Sequence, residues 1–438
     1  MIFSFLINPF KSLLNDKSIP FDVLFFSFLL ILLPIVLTSG PALPDIFLSL
    51  IALFFLIKSV LKKEWSYYKN PIFYGFLVFS FYGIFRSIFS EMPLESLTVG
   101  GSIFYFRYIF FSLGVWYLLD KNHHLSKCIL NILVICILFV CFDALYQYFN
   151  DFNIFGNKKH SNNRLTGVFR DEPIVGRYVS YLSLFAFVLI YQNFSNQKNI
   201  MIITTIFLCI CEVVIFLSGE RAPFFNLMLF TILIVIFISN YRIYKLIGTF
   251  FSIFLIMSII FINPNAKIRM IDLTINQVSK TQIAFLPYSD HHEEHYVSAL
   301  KMFNDSPFFG VGTNLFRFQC NKPKYIYKNR SCNTHPHNFY LQLLAELGLV
   351  GLSFIIIFFL YLSSFIGKQL FYELKSNSEK KINFKFLLYS LLLFTYWWPV
   401  IPHMSFYNNW NNVLMMLPLG FFMRYLYGNS KNGIFYKN

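Results

Sequence analysis

A histidine and an asparagine, His337-Asn338, stand in the segment Thr334-His335-Pro336-His337-Asn338-Phe339-Tyr340-Leu341-Gln342, which leads on to Gly348 and Gly351. Imidazole titrates near neutral pH, so a histidine at an accessible helix start is a candidate general base. Pro336 biases His335 towards an extended conformation and favours a break there. A helix is therefore predicted to start near His337 or Asn338. Leu341, Leu344 and Ala345 fall on one face of it, with Gln342 and Glu346 on another. As far as Leu347 it is too short to cross a bilayer. It reads as an amphipathic helix at the membrane interface, running into an apolar span through Gly348 and Gly351. The alternative for His337 is a histidine hydrogen-bonded at a helix cap.

The second candidate chemistry is anion binding by arginine, whose planar fork gives phosphate two hydrogen bonds at once. Ser218-Gly219-Glu220-Arg221-Ala222-Pro223 is a tight connection between two apolar stretches. Arg221 is the one cation in any short connection on its side of the membrane, against the usual bias. The longer connection 148–175 adds Lys158, Lys159, Arg164 and Arg170, with Arg177 just beyond it. Arg86 and Arg107 lie within apolar segments, where a charge normally faces a cavity or a partner. Together these cations could bind a polyanion. The alternatives are snorkelling or pairing with Asp143 or Glu212 for Arg86 and Arg107, and a solvated loop for the lysines.

His291-His292-Glu293-Glu294-His295 matches the inverted zinc-protease pattern. No catalytic helix accompanies it. It is read instead as the polar face of a stretch whose apolar side is Tyr296, Ala299, Leu300 and Phe303. No P-loop, dinucleotide-binding glycine pattern or cysteine-rich metal motif is present. Any transfer reaction must therefore use an activated substrate brought to the site.

These residues need a scaffold, and composition says which kind. Of 438 residues, 56% are hydrophobic and only 13% charged, with a mean hydropathy of +0.57. Charge is about half that of an average soluble chain. This excludes a disulfide-stapled secreted domain, a disordered chain and an ordinary cytosolic enzyme. An all-α polytopic membrane protein is predicted, with about twelve transmembrane helices at 21–39, 44–60, 71–89, 102–119, 127–147, 176–192, 199–217, 222–239, 244–262, 348–366, 384–400 and 408–427. No cleavable signal peptide precedes the first.

The net charge of +15 marks cytoplasmic loops here, not a nucleic-acid partner. Lys and Arg concentrate at the N-terminal arm, in alternate connections (Lys58 to Lys69, Lys121 and Lys127, Lys198, Arg242 and Lys245, Lys368 to Lys385) and in the C-terminal tail. The short connections 40–43, 90–101 and 401–407 have none. Both termini are thus expected in the cytoplasm. Three regions follow: 1–262 with nine spans and the outer loop 148–175, the large outer loop 263–347, and 348–438 with three spans and the tail. Long loops usually carry function.

Cys128, Cys136, Cys141, Cys209 and Cys211 lie in spans, where cysteine behaves as a small hydrophobe. Cys320 and Cys332 lie in the large outer loop. An oxidising compartment would let that pair form a disulfide; two free thiols are the alternative.

His337-Asn338, nine residues, then Gly348-x-x-Gly351 resembles the H-N-x9-G-x-x-G signature of the O-antigen ligases and related O-antigen polymerases. Gly167-Val168-Phe169-Arg170-Asp171-Glu172-Pro173, Ser218 to Pro223, and Ala299 to Gly312 resemble further pieces in the same order. The resemblance extends to the topology, with the largest outer loop between the ninth and tenth spans. It implies a membrane glycosyltransferase of the GT-C type that uses neither a nucleotide sugar nor an essential metal and requires no cofactor. The implied donor is a glycan on undecaprenyl diphosphate at the periplasmic face of the bacterial inner membrane. The implied acceptor is lipid A–core for a ligase, or a lipid-linked repeat for a polymerase. The family's catalytic histidine maps to His337 and its short-loop arginine to Arg221, expected on the diphosphate. Arg170, Arg177, His292, Arg317, His335 and Asn338 are the expected substrate-binding residues.

One position departs from the ligase pattern. Where ligases place a second arginine, this chain has His292, with Tyr296 in the neighbouring aromatic slot. His292, when protonated, or Arg317 could serve in its place. Ligase is the reading adopted and polymerase the alternative. A polytopic transporter, a different class, would gather paired ions near the bilayer midplane; here ionisable residues gather at the span ends and loops.

Overall fold

The structure, a computed structural model, describes residues 2–98, 101–160, 163–195, 197–262, 264–278, 290–329, 331–375 and 384–428. Its helices, in order, are α1 (Ile2–Asn15), α2 (Phe21–Val36), α3 (Ala42–Leu61), α4 (Pro71–Ile88), α5 (Pro93–Leu97), α6 (Arg107–Lys121), α7 (Leu125–Asn150), α8 (Val175–Phe194), α9 (Lys198–Leu217), α10 (Arg221–Phe237), α11 (Ser239–Ile262), α12 (Asn265–Lys267), α13 (Leu273–Val278), α14 (Asp290–Asp305), α15 (Phe316–Gln319), α16 (Phe339–Leu374), α17 (Phe384–Tyr396) and α18 (Asn409–Tyr427). Among the described residues there is no strand; an isolated antiparallel bridge joins Phe152 and Lys158.

Each of the twelve predicted spans is met by a helix. Among the described residues, nine helical stretches are long and apolar enough to cross a membrane, while α10 and α17 are apolar but shorter. The chain is an all-helical polytopic membrane protein. In such a setting only helices satisfy every backbone group within the segment. α17 stops at Tyr396, short of the predicted 400, because Pro399 disfavours the helical conformation at the residue before it.

The helices sort by burial. α8 is buried along nearly its whole length, as are α17 and α18. α6 packs on α3 and α18, and α8 packs on α7 and α9. By contrast, α3, α4 and α11 turn large apolar side chains outward, among them Leu53, Phe81, Phe250 and Phe261. A soluble protein does not expose such a band; lipid would cover it.

Helix α16 is broken at Gly348, whose φ of 64° and ψ of −164° no helix accommodates. The break strands carbonyls before it and N–H groups after it. Segment 307–312 takes up both. Val311 N donates to Ala345 O at 3.0 Å and Gly312 N to Glu346 O at 2.8 Å. Leu349 N donates to Pro307 O at 2.9 Å and Val350 N to Phe308 O at 3.2 Å. The approach is so close that a Cβ on Gly310 would lie 2.3 Å from the Glu346 carbonyl carbon. A Cβ on Gly348 would lie 2.3 Å from Phe308 O.

Arg86 belongs to this joint. Its guanidinium donates to Gly310 O (3.0 and 2.6 Å), Phe309 O (3.0 Å) and Phe89 O (2.6 Å). Arg107 pairs with Asp45 at 2.9 Å. Neither uses the partners considered from sequence. Asp143 instead accepts from Ile154 N. Glu212 is buried against Lys245, which lies inside α11 and not in a connecting loop. An uncompensated carboxylate at that depth would be costly, which accounts for the lysine.

Candidate functional site

His337 sits where three segments meet. Cys320 and Cys332 are joined by a disulfide, with Cα atoms 4.9 Å apart, and the chain leaves that loop directly into Asn333–His337. His337 itself has a φ of 56°, a left-handed conformation that costs a non-glycine residue energy and is characteristic of functional positions. It is held there from both sides. Its carbonyl accepts from His403 N at 2.7 Å. The next residue, Asn338, immediately precedes α16, with Oδ1 accepting from Tyr340 N (3.0 Å) and Leu341 N (3.1 Å). The same amide's Nδ2 donates to Pro399 O at 2.8 Å and to Ile401 O at 3.3 Å. Asn338 is thus both helix cap and anchor.

The proton on His337 can be placed. Asn333 Oδ1 accepts from Thr334 N at 2.7 Å, which turns its Nδ2 towards His337 Nε2 at 3.1 Å. Nε2 therefore carries the lone pair, and Nδ1 carries the hydrogen of the neutral ring. Burial lowers the His337 pKa to about 4, helped by His295 and Arg177. The ring is a free base at neutral pH.

Three further imidazoles surround it. Ring centroids lie 4.4 Å away for His335, 5.3 Å for His295 and 5.4 Å for His292. His295 Nδ1 is 3.3 Å from Ser331 O, and His335 Nε2 is 3.3 Å from His403 O. The His-His-Glu-Glu-His stretch on α14 thus turns His292 and His295 to His337 rather than to solvent; the His291 side chain lies outside the described residues. His335 and His403 are both pushed well below their ordinary range, first by burial, with Arg177 adding to it.

A second cluster lies at the Ser218–Arg221 connection. Arg221 opens α10, and its Nη2 donates to Arg269 O at 3.2 Å. Arg164 Nη2 donates to Pro173 O at 2.7 Å and lies 3.8 Å from Glu220 Oε2. Gly219, with a φ of 76°, leaves room for both neighbours: a Cβ there would lie 3.1 Å from Arg269 Cγ and 3.4 Å from Arg164 Cγ. Glu220 is buried, and its Oε1 accepts from Gly176 N at 2.6 Å. Burial pushes its carboxyl up, opposed by Arg164 and Arg177. Arg177 therefore acts on both clusters, on Glu220 and on the three histidines His335, His337 and His403.

Of the residues expected from sequence, the structure gathers His337, His335 and His292 in one cluster and places Arg221 in the second, with Arg177 acting on both. Arg317 acts on His335 from the next turn of the loop. Arg170 is exposed, with a φ of 58°. Sequence reasoning missed Arg269, His295, His403, Asn333 and the carboxylate of Glu220 as neighbours. His403 was the one histidine in a short connection without Lys or Arg. Asn333 left no signal beyond its place beside Cys332. Among the described residues, the side chains grouped closely enough to ligate a metal are Asp16, His123 and His124, at the opposite end of α7 from loop 148–175.

An apolar cavity of about 190 Å³ opens between α4, α16 and α18, lined by Phe76, Phe79, Phe354, Phe358, Tyr361 and, just past the end of α17, Trp397. Tyr340 donates its hydroxyl to Trp397 O, and Phe339 packs edge-on against the Trp397 ring. The cavity roof and the His337 segment are thus one packed unit.

No curated protein matches the chain. A family model does: that of O-antigen ligase, over residues 204–356. The matched segment runs from α9 through the break in α16, and contains Arg221, Arg269, His292, His337, Asn338 and both glycines of the break. Over residues 204–356 this polytopic membrane protein is thus similar to the O-antigen ligase family.

Proposed function

We propose that this protein is an inverting glycosyltransferase that moves a glycan from undecaprenyl diphosphate to lipid A–core. Its site faces the periplasm from the bacterial inner membrane, with both termini in the cytoplasm. The observation that carries the reading is His337: a ring with its lone pair fixed on Nε2 by Asn333 and kept unprotonated by its surroundings. It lies within a match to the O-antigen ligase family.

The chemistry follows from that ring. An acceptor hydroxyl displaces the Asn333 amide from His337 Nε2 and gives that nitrogen its proton as its oxygen attacks the anomeric carbon. The bond from that carbon to the diphosphate oxygen breaks on the opposite face, which inverts the configuration. Negative charge grows on the leaving diphosphate, and a fixed guanidinium, that of Arg221, stabilises it. His335, His292 and Arg177 line the approach and bind the substrate's polar groups, with Arg170 and Arg317 as outer contacts. Asn338 acts through His337 by holding its backbone. The apolar cavity under Trp397 accepts lipid chains from the membrane.

One observation favours the second reading, an O-antigen polymerase that uses a lipid-linked repeat as acceptor. His292 stands where ligases resemble one another in having arginine. The test is the lipopolysaccharide and lipid-linked glycan profile of cells lacking the protein. Long lipid-linked chains that never reach lipid A–core support the ligase. Core carrying single repeats and no ladder supports the polymerase. An unchanged profile removes both.

A further inference from the structure

Two connections meet at the end of α7 opposite loop 148–175, one between α1 and α2 and one between α6 and α7. Both bring groups that bind metals. Asp16 follows α1, and His123 and His124 precede α7. Nε2 of His124 lies 3.5 Å from Asp16 Oδ2, and Nε2 of His123 lies 3.9 Å from it. The three ligand atoms all fall within 4.8 Å of one another. These separations are long for a hydrogen bond. They are close to the roughly 3.4 Å between ligand atoms that tetrahedral zinc imposes with bonds of about 2.0–2.1 Å.

Lys11 and Lys17 flank Asp16 in sequence, and Lys127 follows the histidines. Among the described residues, however, its carboxylate pairs with the two imidazoles and with no lysine or arginine. The surroundings fix all three groups. Asp16 Oδ1 accepts from Ser18 N at 3.0 Å and from Ser18 Oγ at 2.5 Å, which leaves Oδ2 to the imidazoles. Leu13 and Ile19, on either side, are buried. Asn122 is fully buried, with Oδ1 accepting from His124 N at 3.1 Å and Nδ2 donating to Ser27 Oγ at 3.0 Å. The histidine turn is thereby tied to α2. The two imidazole centroids are 3.9 Å apart, so both rings stand over the same carboxylate. Ligands oriented by hydrogen bonds from their neighbours are what a metal site requires.

We propose that Asp16, His123 and His124 bind one divalent transition-metal ion, zinc by ligand type, which pins the α1–α2 connection to the α6–α7 connection. Two imidazoles and a carboxylate suit zinc, whereas calcium and magnesium prefer oxygen ligands throughout. The protein supplies three ligands and water completes the tetrahedron. Helix α1 already packs on α7, and the ion fastens the turn at its end. The site lies at the opposite end of α7 from loop 148–175 and is independent of the reading of His337.

The test uses full-length protein without a histidine tag, in nanodiscs and stripped with a chelator. Zinc chloride is titrated against a competing zinc indicator. Wild type should bind one zinc per chain with a Kd below about 10 μM. Asp16→Asn and His124→Asn should each weaken zinc at least about a hundredfold, since losing a ligand costs more than losing its support. Ser18→Ala should weaken it about tenfold, because Ser18 only orients the carboxylate. His160→Asn, in loop 148–175, should match wild type. The His123 side chain is 72% exposed, so His123→Asn removes a ligand without disturbing packing and should weaken zinc as the other two do. Thermal midpoints in chelator check that each variant is folded. Added zinc should raise the midpoint of wild type and of His160→Asn, and leave those of the three ligand variants where they were. Cobalt(II) in place of zinc should give the strong visible absorption of a tetrahedral site in wild type and lose it in His123→Asn. Zinc bound no more tightly by wild type than by His123→Asn and His124→Asn overturns the site and leaves an ion pair only. So does a wild-type midpoint that zinc does not move.

Discussion

Asn333 donates its side-chain amide to Nε2 of His337 across 3.1 Å, while its own carbonyl oxygen is held by Thr334 N. The amide therefore sets which nitrogen of His337 can take a proton. Replacing it by a carboxylate changes that nitrogen's electrostatics without changing its shape. Asn333→Asp should raise the His337 pKa by about 1–2 units through the nearby negative charge. The pH at which transfer falls to half on the acid side should rise by the same amount. An unshifted acid limb would show that Asn333 does not touch the proton-accepting ring.

In the unaltered protein the acid limb should lie low. The ordinary histidine value of 6.5 is lowered to about 4 at His337. Transfer should thus hold as pH falls through 6.5 and halve near 4, measured as kcat/KM on the free enzyme. Stability follows the opposite course. Between 6.5 and about 4 the unfolded chain binds a proton at this residue that the folded one does not. Folding stability should therefore fall with pH across that window and level off below it. Denaturant midpoints taken across the same range check the sign.

The break in α16 should tolerate no side chain. Gly348→Ala puts a Cβ at 2.3 Å from Phe308 O and at a positive φ. Gly310→Ala puts one at 2.3 Å from the Glu346 carbonyl carbon. Each should cost about 3 kcal/mol or more, from strain plus overpacking. Gly367→Ala, which meets nothing within 4 Å, is the matched control. Thermal unfolding in detergent reads all three, and equal midpoints would remove the argument.

The disulfide should matter to the site as well as to the fold. Its loop, with a sequence separation of 12, leads directly into Asn333 and presents Ser331 O to His295. Opening it should cost roughly 3 kcal/mol by freeing the unfolded chain. Cys320→Ser with Cys332→Ser should also lower transfer at temperatures where the protein stays folded, because the His337 loop loses its tether. Transfer at the wild-type rate in the folded double variant would confine the disulfide to stability.

Most of the architecture was legible from hydrophobic run length, because a bilayer demands about twenty apolar residues whatever the tertiary contacts. The ends were less so: α17 stops at a proline-led turn, and Lys245 looked like a loop cation but pairs with Glu212 inside α11. The H-N pair and the two glycines were legible as a pattern. Their reasons were not, since Asn338 caps a helix and Gly348 admits a strand of backbone from forty residues earlier. Arg164 was one of several loop cations, and Arg269 gave no sign at all. Both acquire meaning only when three distant connections fold onto Gly219.

The central claim is that His337 accepts the proton in glycan transfer, and cells carrying His337→Ala in place of the wild-type protein test it most directly. The account predicts normal membrane insertion and amount of the variant, loss of glycan from lipid A–core, and accumulation of undecaprenyl-linked chains. A lipopolysaccharide ladder like that of the wild type, at equal protein level, would contradict it.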